Sequence, residues 1–252
     1  MRYQLIIFLF LVSVGTQAQI GTYRNDLSIG VNAGYVLSNV GFSPRVPQSM
    51  HHGFTGGLSL KYVCEKYFNT YCSVVAELNY ASIGWKENIL TNTDQPVINS
   101  VTNLLEEYSR TIGYLQLPVF AHLAWGKEND GFQFFFRAGP QFGLYLHEKT
   151  ETNFDIATRN ESDRSNNTVA QDTMSIANKF DYGIAAGIGM EYGKTKIGRF
   201  QIEARYYYGL GNIFGDSKKD YFGKSNFGNI IVKISYLFDL RRSKTNKNNS
   251  NY

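Results

Sequence analysis

KFDYGIAAGIGMEYG, residues 179–193, and RFQIEARYYYGLGNIF, residues 199–214, decide the fold. In the first, Phe180, Tyr182, Ile184, Ala186, Ile188, Met190 and Tyr192 share one face, while Asp181, Gly183, Ala185, Gly187, Gly189 and Glu191 share the other. A period of two is that of a β-strand. The second repeats it, with Phe200, Ile202, Ala204, Tyr206, Tyr208 and Leu210 against Gln201, Glu203, Arg205, Tyr207 and Gly209. A soluble sandwich would bury its apolar face on a second sheet and leave the opposite face solvated. Here the opposite face carries glycines and isolated charges instead. Lipid outside and a crowded polar lumen inside account for both faces, as in a transmembrane barrel.

The same alternation recurs along the chain. Strands are expected at 27–38, 53–63, 73–85, 113–126, 132–147 and 229–240, which with the opening hairpin makes eight. The first, third, fifth and seventh connections are long and polar (39–52, 86–112, 148–178 and 211–228), whereas the second, fourth and sixth are short turns. Outer-membrane barrels show that asymmetry, with short periplasmic turns and longer outer loops. The expected fold is therefore all-β: an eight-stranded antiparallel up-and-down transmembrane β-barrel with four long extracellular loops and both termini in the periplasm. Pro118 lies within the fourth strand, where a proline deletes a ladder donor, so a bulge is expected there.

Composition agrees with one sizeable domain: 252 residues, 43% apolar, 15% aromatic, 24 glycines and only 5 prolines. Arg2, an apolar run from Leu5 to Val14 and the small-x-small site Thr16-Gln17-Ala18 read as a secretory signal peptide over 1–18. The barrel then occupies 19–240, and RRSKTNKNNSNY, 241–252, is a basic periplasmic tail. A formal charge of +4 gives no nucleic-acid footprint.

Leu78-Asn79-Tyr80, Leu115-Gln116-Leu117-Pro118, Arg137-Ala138-Gly139-Pro140, Phe180-Asp181-Tyr182-Gly183 through Gly187-Ile188-Gly189, and Arg205 through Ile213 together resemble the PorT-type outer-membrane barrels of the Bacteroidetes. The resemblance runs over about 27–240. It implies an eight-stranded outer-membrane barrel and a role in secretion through the type IX system, which exports surface proteases and adhesins. Gln116 departs from the pattern, which has Glu there, as does the basic tail beyond Leu240.

An eight-stranded barrel has an interior that side chains fill, so a diffusion pore is not expected. The inward positions carry Lys61, Arg137, Arg205 and Lys233 against Glu77, Asp181, Glu191 and Glu203, read as a mutually paired plug. Cys64 and Cys72 flank a turn about Phe68, and in an exported chain they are candidates for a disulfide. His51, His52, His122 and His147 stand without a nucleophile motif or metal-ligand spacing. No enzymatic activity, cofactor, metal or small-molecule substrate is therefore expected. In the second long loop, Val97, Val101, Leu104, Leu105 and Tyr108 recur at intervals of three and four, a helical stripe suited to a protein partner, unless these residues extend the neighbouring strands. The expected partners are outer-membrane lipid and the proteins of a secretion or surface assembly. A surface adhesin or receptor working through its loops is the alternative.

Overall fold

The computed structural model describes residues 21–99, 102–128, 130–156, 164, 169–194, 197–215 and 220–242. The signal segment and the tail beyond Arg242 lie outside them. The chain forms β1 (Thr22–Ser43), β2 (Gln48–Ser49), β3 (His51–Tyr67), β4 (Thr70–Asn88), β5 (Glu107–Gly126), β6 (Gly131–Thr152), β7 (Phe180–Lys194), β8 (Gly198–Gly209) and β9 (Lys224–Arg241). One turn of helix, α1 (Ala170–Thr173), precedes β7. No helix of the described residues is long and apolar enough to cross a membrane.

The eight long strands pair antiparallel in the ring β1-β3-β4-β5-β6-β7-β8-β9, which β9 closes on β1. Ala33 opposite Ile234 belongs to that closing seam. Closure leaves no long strand with an unpaired edge, which lipid could not satisfy. The two-residue β2 lies against the outer end of β4. Glycine recurs on the inward face because strands approach closely: a Cβ at Gly30 would run into the Tyr236 carbonyl, and one at Gly57 into that of Leu78.

Alternation places the predicted faces as read. Ile184, Ile188 and Ile202 are 56%, 64% and 52% exposed, while Asp181, Glu191 and Glu203 are buried. Apolar side chains turned outward and charges turned inward are the reverse of a water-soluble protein and suit a bilayer. Outward aromatics bound this belt. Trp125, Phe132, Tyr192, Phe200 and Tyr236 stand at the short-turn end, and Tyr35, Phe54, Tyr80, Phe180, Tyr182 and Tyr208 toward the other.

Beyond the second girdle the polarity inverts. Along β1 the inward residues pass from Ser28 and Asn32 to Val36, Val40 and Phe42, while Asn39, Gly41 and Ser43 face outward. Along β4, Ile83 and Trp85 face in, and Lys86 and Asn88 face out. The strands thus continue past the bilayer. Four of the connections expected to be long are accordingly shorter, at 44–50, 89–106, 153–179 and 210–223.

Three local expectations are corrected. The stripe at 97–108 is not helical. Residues 90–99 and 102–105 form isolated bridges, Leu90 with Pro96 and Ile98 with Leu105, with positive φ at Asp94 and Asn103. Tyr108 belongs to β5, paired with Glu87 and Thr152, and is buried in the lumen. Val97 packs partly buried against the core, Leu104 and Leu105 are exposed, and Val101 lies outside the described residues. Pro118 carries no bulge, since the register is continuous from Ala76–Val119 to Asn79–Gln116 and through Pro118–Gln141. The β4 ladder omits the rows between those first two pairs, where Pro118 would stand opposite Glu77, so the missing donor interrupts the pairing without shifting its register; the bulge in β5–β6 lies at Gly113/Tyr114. Finally, Cys64 and Cys72 are free thiols. Cys72 pairs with Glu65, and Cys64 is the extra residue of a bulge between Val63 and Glu65, so the two are not cross-strand partners.

Candidate functional site: the filled lumen and its outer cap

The lumen is built from inward positions of every long strand, and its centre is Glu77. This carboxylate accepts from Arg137 Nη1 at 3.2 Å, from Arg205 Nη1 and Nη2 at 3.0 Å, from Lys233 Nζ at 2.5 Å and from Asn79 Nδ2 at 2.9 Å. Glu203 accepts from Arg205 Nε and Nη2, both at 2.9 Å, and lies 3.4 Å from Arg137 Nε. Phe135 and Phe120 face the two guanidinium groups, each with a ring centroid 4.5 Å from a guanidinium carbon, Arg137 and Arg205 respectively. Toward the short turns a second layer forms on Glu191, which accepts from Lys61 Nζ at 2.6 Å, Arg199 Nη1 at 2.9 Å and Gln201 Nε2 at 2.5 Å. Gln201 joins the layers, because its Oε1 accepts from Arg137 Nη2 at 3.0 Å. An unpaired buried charge costs several kcal/mol, and here every charge of the two layers has partners.

Seven of the eight predicted lumen charges, Lys61, Glu77, Arg137, Glu191, Glu203, Arg205 and Lys233, therefore belong to one connected network. Asp181 does not. It lies outward of the network, flanked by Gly143 and Gly209, and accepts from the Tyr207 hydroxyl at 2.6 Å. Sequence reasoning missed Arg199, whose Nε lies 3.2 Å from Asp239, and Arg24, which donates to Glu128 at 2.7 Å. Arg199 shares the inward parity of Gln201 and Glu203, and Asp239 that of Lys233 and Ser235, so the signal was present.

Beyond the girdle the lumen becomes apolar and is closed from outside. Phe214 and Phe222, from the 210–223 connection, lie 5.6 Å apart and pack with Phe42 and Trp85 of the barrel wall. Phe154, Ile176 and Ile213 complete this cluster. Segment 170–174 is pinned over it. Arg110 Nη1 donates to the Met174 carbonyl at 2.6 Å and the Gln171 carbonyl at 3.3 Å, and Arg110 Nη2 pairs with Glu148 at 2.6 Å. The Gln171 amide donates to Glu87 at 3.1 Å. Glu87 lies outside the bilayer, between the outward residues Lys86 and Asn88. Burial first, and the Asp172 carboxylate second, push its pKa up to about 8.

The four histidines are dispersed. His51 faces inward on Thr111 at 2.8 Å, His52 outward on Tyr35, His122 inward against the Phe135 ring at 4.8 Å, and His147 outward on Tyr80 at 3.1 Å. The described residues hold no group of three or more metal-ligating side chains of the His, Cys, Asp or Glu type.

Residues 17–215 match the family described as Outer membrane protein beta-barrel domain. No curated protein matches the chain. Similar solved structures include Ail, the attachment invasion locus protein of Yersinia pestis, at 14% identity and a TM-score of 0.33, covering 84% of this chain and 98% of that one. Neisserial surface protein A aligns at 11% identity and a TM-score of 0.38 over 84% and 97%, and OprG from Pseudomonas aeruginosa at 13% and 0.41 over 86% and 98%.

Proposed function

The chain belongs to the outer-membrane β-barrel domain family, and from that premise we propose that it is a non-enzymatic, non-conducting component of an assembly that secretes or displays surface proteins, working through its outer loops. It resides in the outer membrane with its short turns and termini in the periplasm. The observation that carries the reading is the doubly closed lumen. Arg137, Lys61 and Lys233 fill the membrane section, Phe214 and Phe222 fill the outer section, and all five are less than 2% exposed. A solute path would have to break a buried ion cluster and an aromatic core in series. What remains for function is surface, and the outer surface presents exposed Ile98, Leu104 and Leu105 on a folded-back loop. The resemblance to PorT-type barrels favours secretion of the type IX kind as the task.

Deleting the gene and measuring display and secretion of exported surface proteins tests this directly. Loss of secretion is the expected result. Intact secretion with loss of binding to a surface target would replace it with the adhesin or receptor reading. Purified barrel reconstituted in a planar bilayer should conduct negligibly, and steady channel conductance would refute the closed lumen.

A further inference from the structure

At the outer girdle, the outward face of β8, β9 and β1 changes character over four rows of the ladder. Register places Ile230 beside Leu37 and Tyr206, then Gly228 beside Asn39 and Tyr208, then Asn226 beside Gly41, and last Lys224 beside Ser43. The first row is apolar and the later ones are not, so the wall passes here from hydrocarbon to headgroup level, where tyrosines belong.

The two glycines leave a shelf on which the neighbouring side chains converge. A Cβ at Gly228 would stand 2.9 Å from Asn39 Oδ1 and 3.4 Å from the Tyr206 hydroxyl, and one at Gly41 would stand 2.9 Å from Asn226 Oδ1 and 3.7 Å from Lys224 Cε. Asn226 is held in place by its Nδ2, which donates to the Gly209 carbonyl at 2.6 Å. Lys224 Nζ donates to the Tyr208 hydroxyl at 3.4 Å and lies 5.7 Å from that ring. The Tyr208 hydroxyl thus accepts from the ammonium and keeps its own proton to donate. Both tyrosines and Lys224 are exposed. One outward position further into the bilayer on the same two strands, Ala204 and Val232 face each other and line an apolar groove of 580 Å³ with Phe136, Ile188 and Ile202. The small Ala204, between Ile202 and Tyr206 on the outward face of β8, leaves the wall recessed there.

An exposed ammonium beside a phenolic O–H suits a phosphate, and a recessed apolar wall suits an acyl chain. We propose that this strip of the wall holds one phosphate-bearing lipid of the outer leaflet, its phosphate taken by Lys224 and Tyr208 and an acyl chain lying in the groove past Ala204 and Val232. Shelf and groove occupy successive outward positions of β8 and β9, so a single amphiphile reaches both, whereas a soluble phosphate would use only the first. The site is independent of the loop surface assigned above to a protein partner.

The test uses the full-length barrel in dodecylmaltoside, titrated with dioleoyl phosphatidic acid or with dioleoylglycerol, which lacks the phosphate, and native mass spectrometry to count retained lipid. Wild type should prefer the phosphorylated lipid on the order of tenfold, as expected for one charge-assisted contact. Lys224→Gln should abolish that preference while retention of dioleoylglycerol stays as in wild type, and Tyr208→Phe, which keeps the ring, should reduce it. Ala204→Leu, which fills the groove, should weaken both lipids. Lys149→Gln, an exposed lysine of β6 paired with Glu151, should change nothing. Heat-modifiable migration confirms that each variant is assembled. Equal retention of both lipids by wild type, equal losses in Lys224→Gln and Lys149→Gln, or undiminished retention by an assembled Ala204→Leu would overturn the proposal. Displacement of phosphatidic acid by an equal concentration of glycerol 3-phosphate would also overturn it, by assigning the shelf to a soluble phosphate.

Discussion

Lys233 Nζ and Glu77 Oε2 meet at 2.5 Å across the lumen, joining β9 to β4, which are not neighbours in the ring. Both side chains are fully buried. Because Arg137 and Arg205 converge on the same carboxylate, Glu77 ties the wall together at several points.

Glu77→Gln should therefore leave three cations competing for Glu203 in a closed space. Breaking a buried pair from one side costs about 3–5 kcal/mol. Glu151→Gln removes an exposed partner of Lys149, a kind of pair that water screens. Thermal unfolding in detergent, followed by heat-modifiable gel migration, should show a large fall for the first and almost none for the second. Equal shifts would contradict an ion-paired lumen.

The contrast between these positions follows the limits of what the sequence displays. The alternation through 179–214 is local, so the faces of Ile184, Glu191 and Glu203 could be read from it directly. Partnership is not local. Asp181 obeys the same parity as Glu191, yet its neighbours are Gly143 and Gly209, and only the assembled wall reveals that no cation lies beside it among the described residues. Register is equally hidden: one extra residue in β3 turns Cys64 from the partner of Cys72 into a bulge. The stripe from Val97 to Tyr108 kept helical intervals because turns at Asp94 and Asn103 interrupt an extended chain, and intervals alone do not register a turn. The outer cap was missed because Phe214 and Phe222 sit in an irregular connection with no period to betray them.

The bulge has a chemical consequence. A disulfide needs Cβ atoms about 3.5–4.5 Å apart and correctly directed, and the β3–β4 register gives Cys72 a glutamate as its partner. Denatured, unreduced protein should titrate with two thiols. A value near zero would mean the β3–β4 register is shifted by one residue.

Segment 170–174 should respond to pH. The pKa of folded Glu87 is raised to about 8, with Asp172 bearing on it alongside Gln171, Trp85 and Tyr108, and with Arg110 held by Glu148 on the adjoining strand. A carboxyl whose folded pKa exceeds its unfolded value binds its proton more tightly when folded. Its stabilising contribution is thus complete below the ordinary carboxylate range and is lost as pH rises through about 8. Thermal stability should decline across that window, and Glu87→Gln should flatten the decline. A wild-type profile unchanged between the two ends would show that Glu87 does not hold its proton.

The folded-back loop makes the sharpest statement about function. Ile98 and Leu105 are bridged, the Asn99 N–H donates to the Leu104 carbonyl at 2.9 Å, and the Glu106 N–H donates to the Val97 carbonyl at 2.9 Å. Val97 anchors this unit on the core while Ile98, Leu104 and Leu105 are 62%, 61% and 53% exposed. Three large apolar side chains held outside the bilayer by their own backbone bonds suit a protein partner better than a lid, since the mouth is already filled by Phe214 and Phe222. Leu104→Glu combined with Leu105→Glu alters side chains that are mostly exposed and lie outside the barrel ladders, so barrel assembly and heat-modifiable migration should match wild type. Secretion of surface proteins, or co-purification of the partner, should fall at least tenfold, the effect of losing about 1.4 kcal/mol of binding. A double variant that assembles and secretes normally would move the partner surface to the periplasmic turns, where Phe68 stands 80% exposed at the tip of the β3–β4 hairpin.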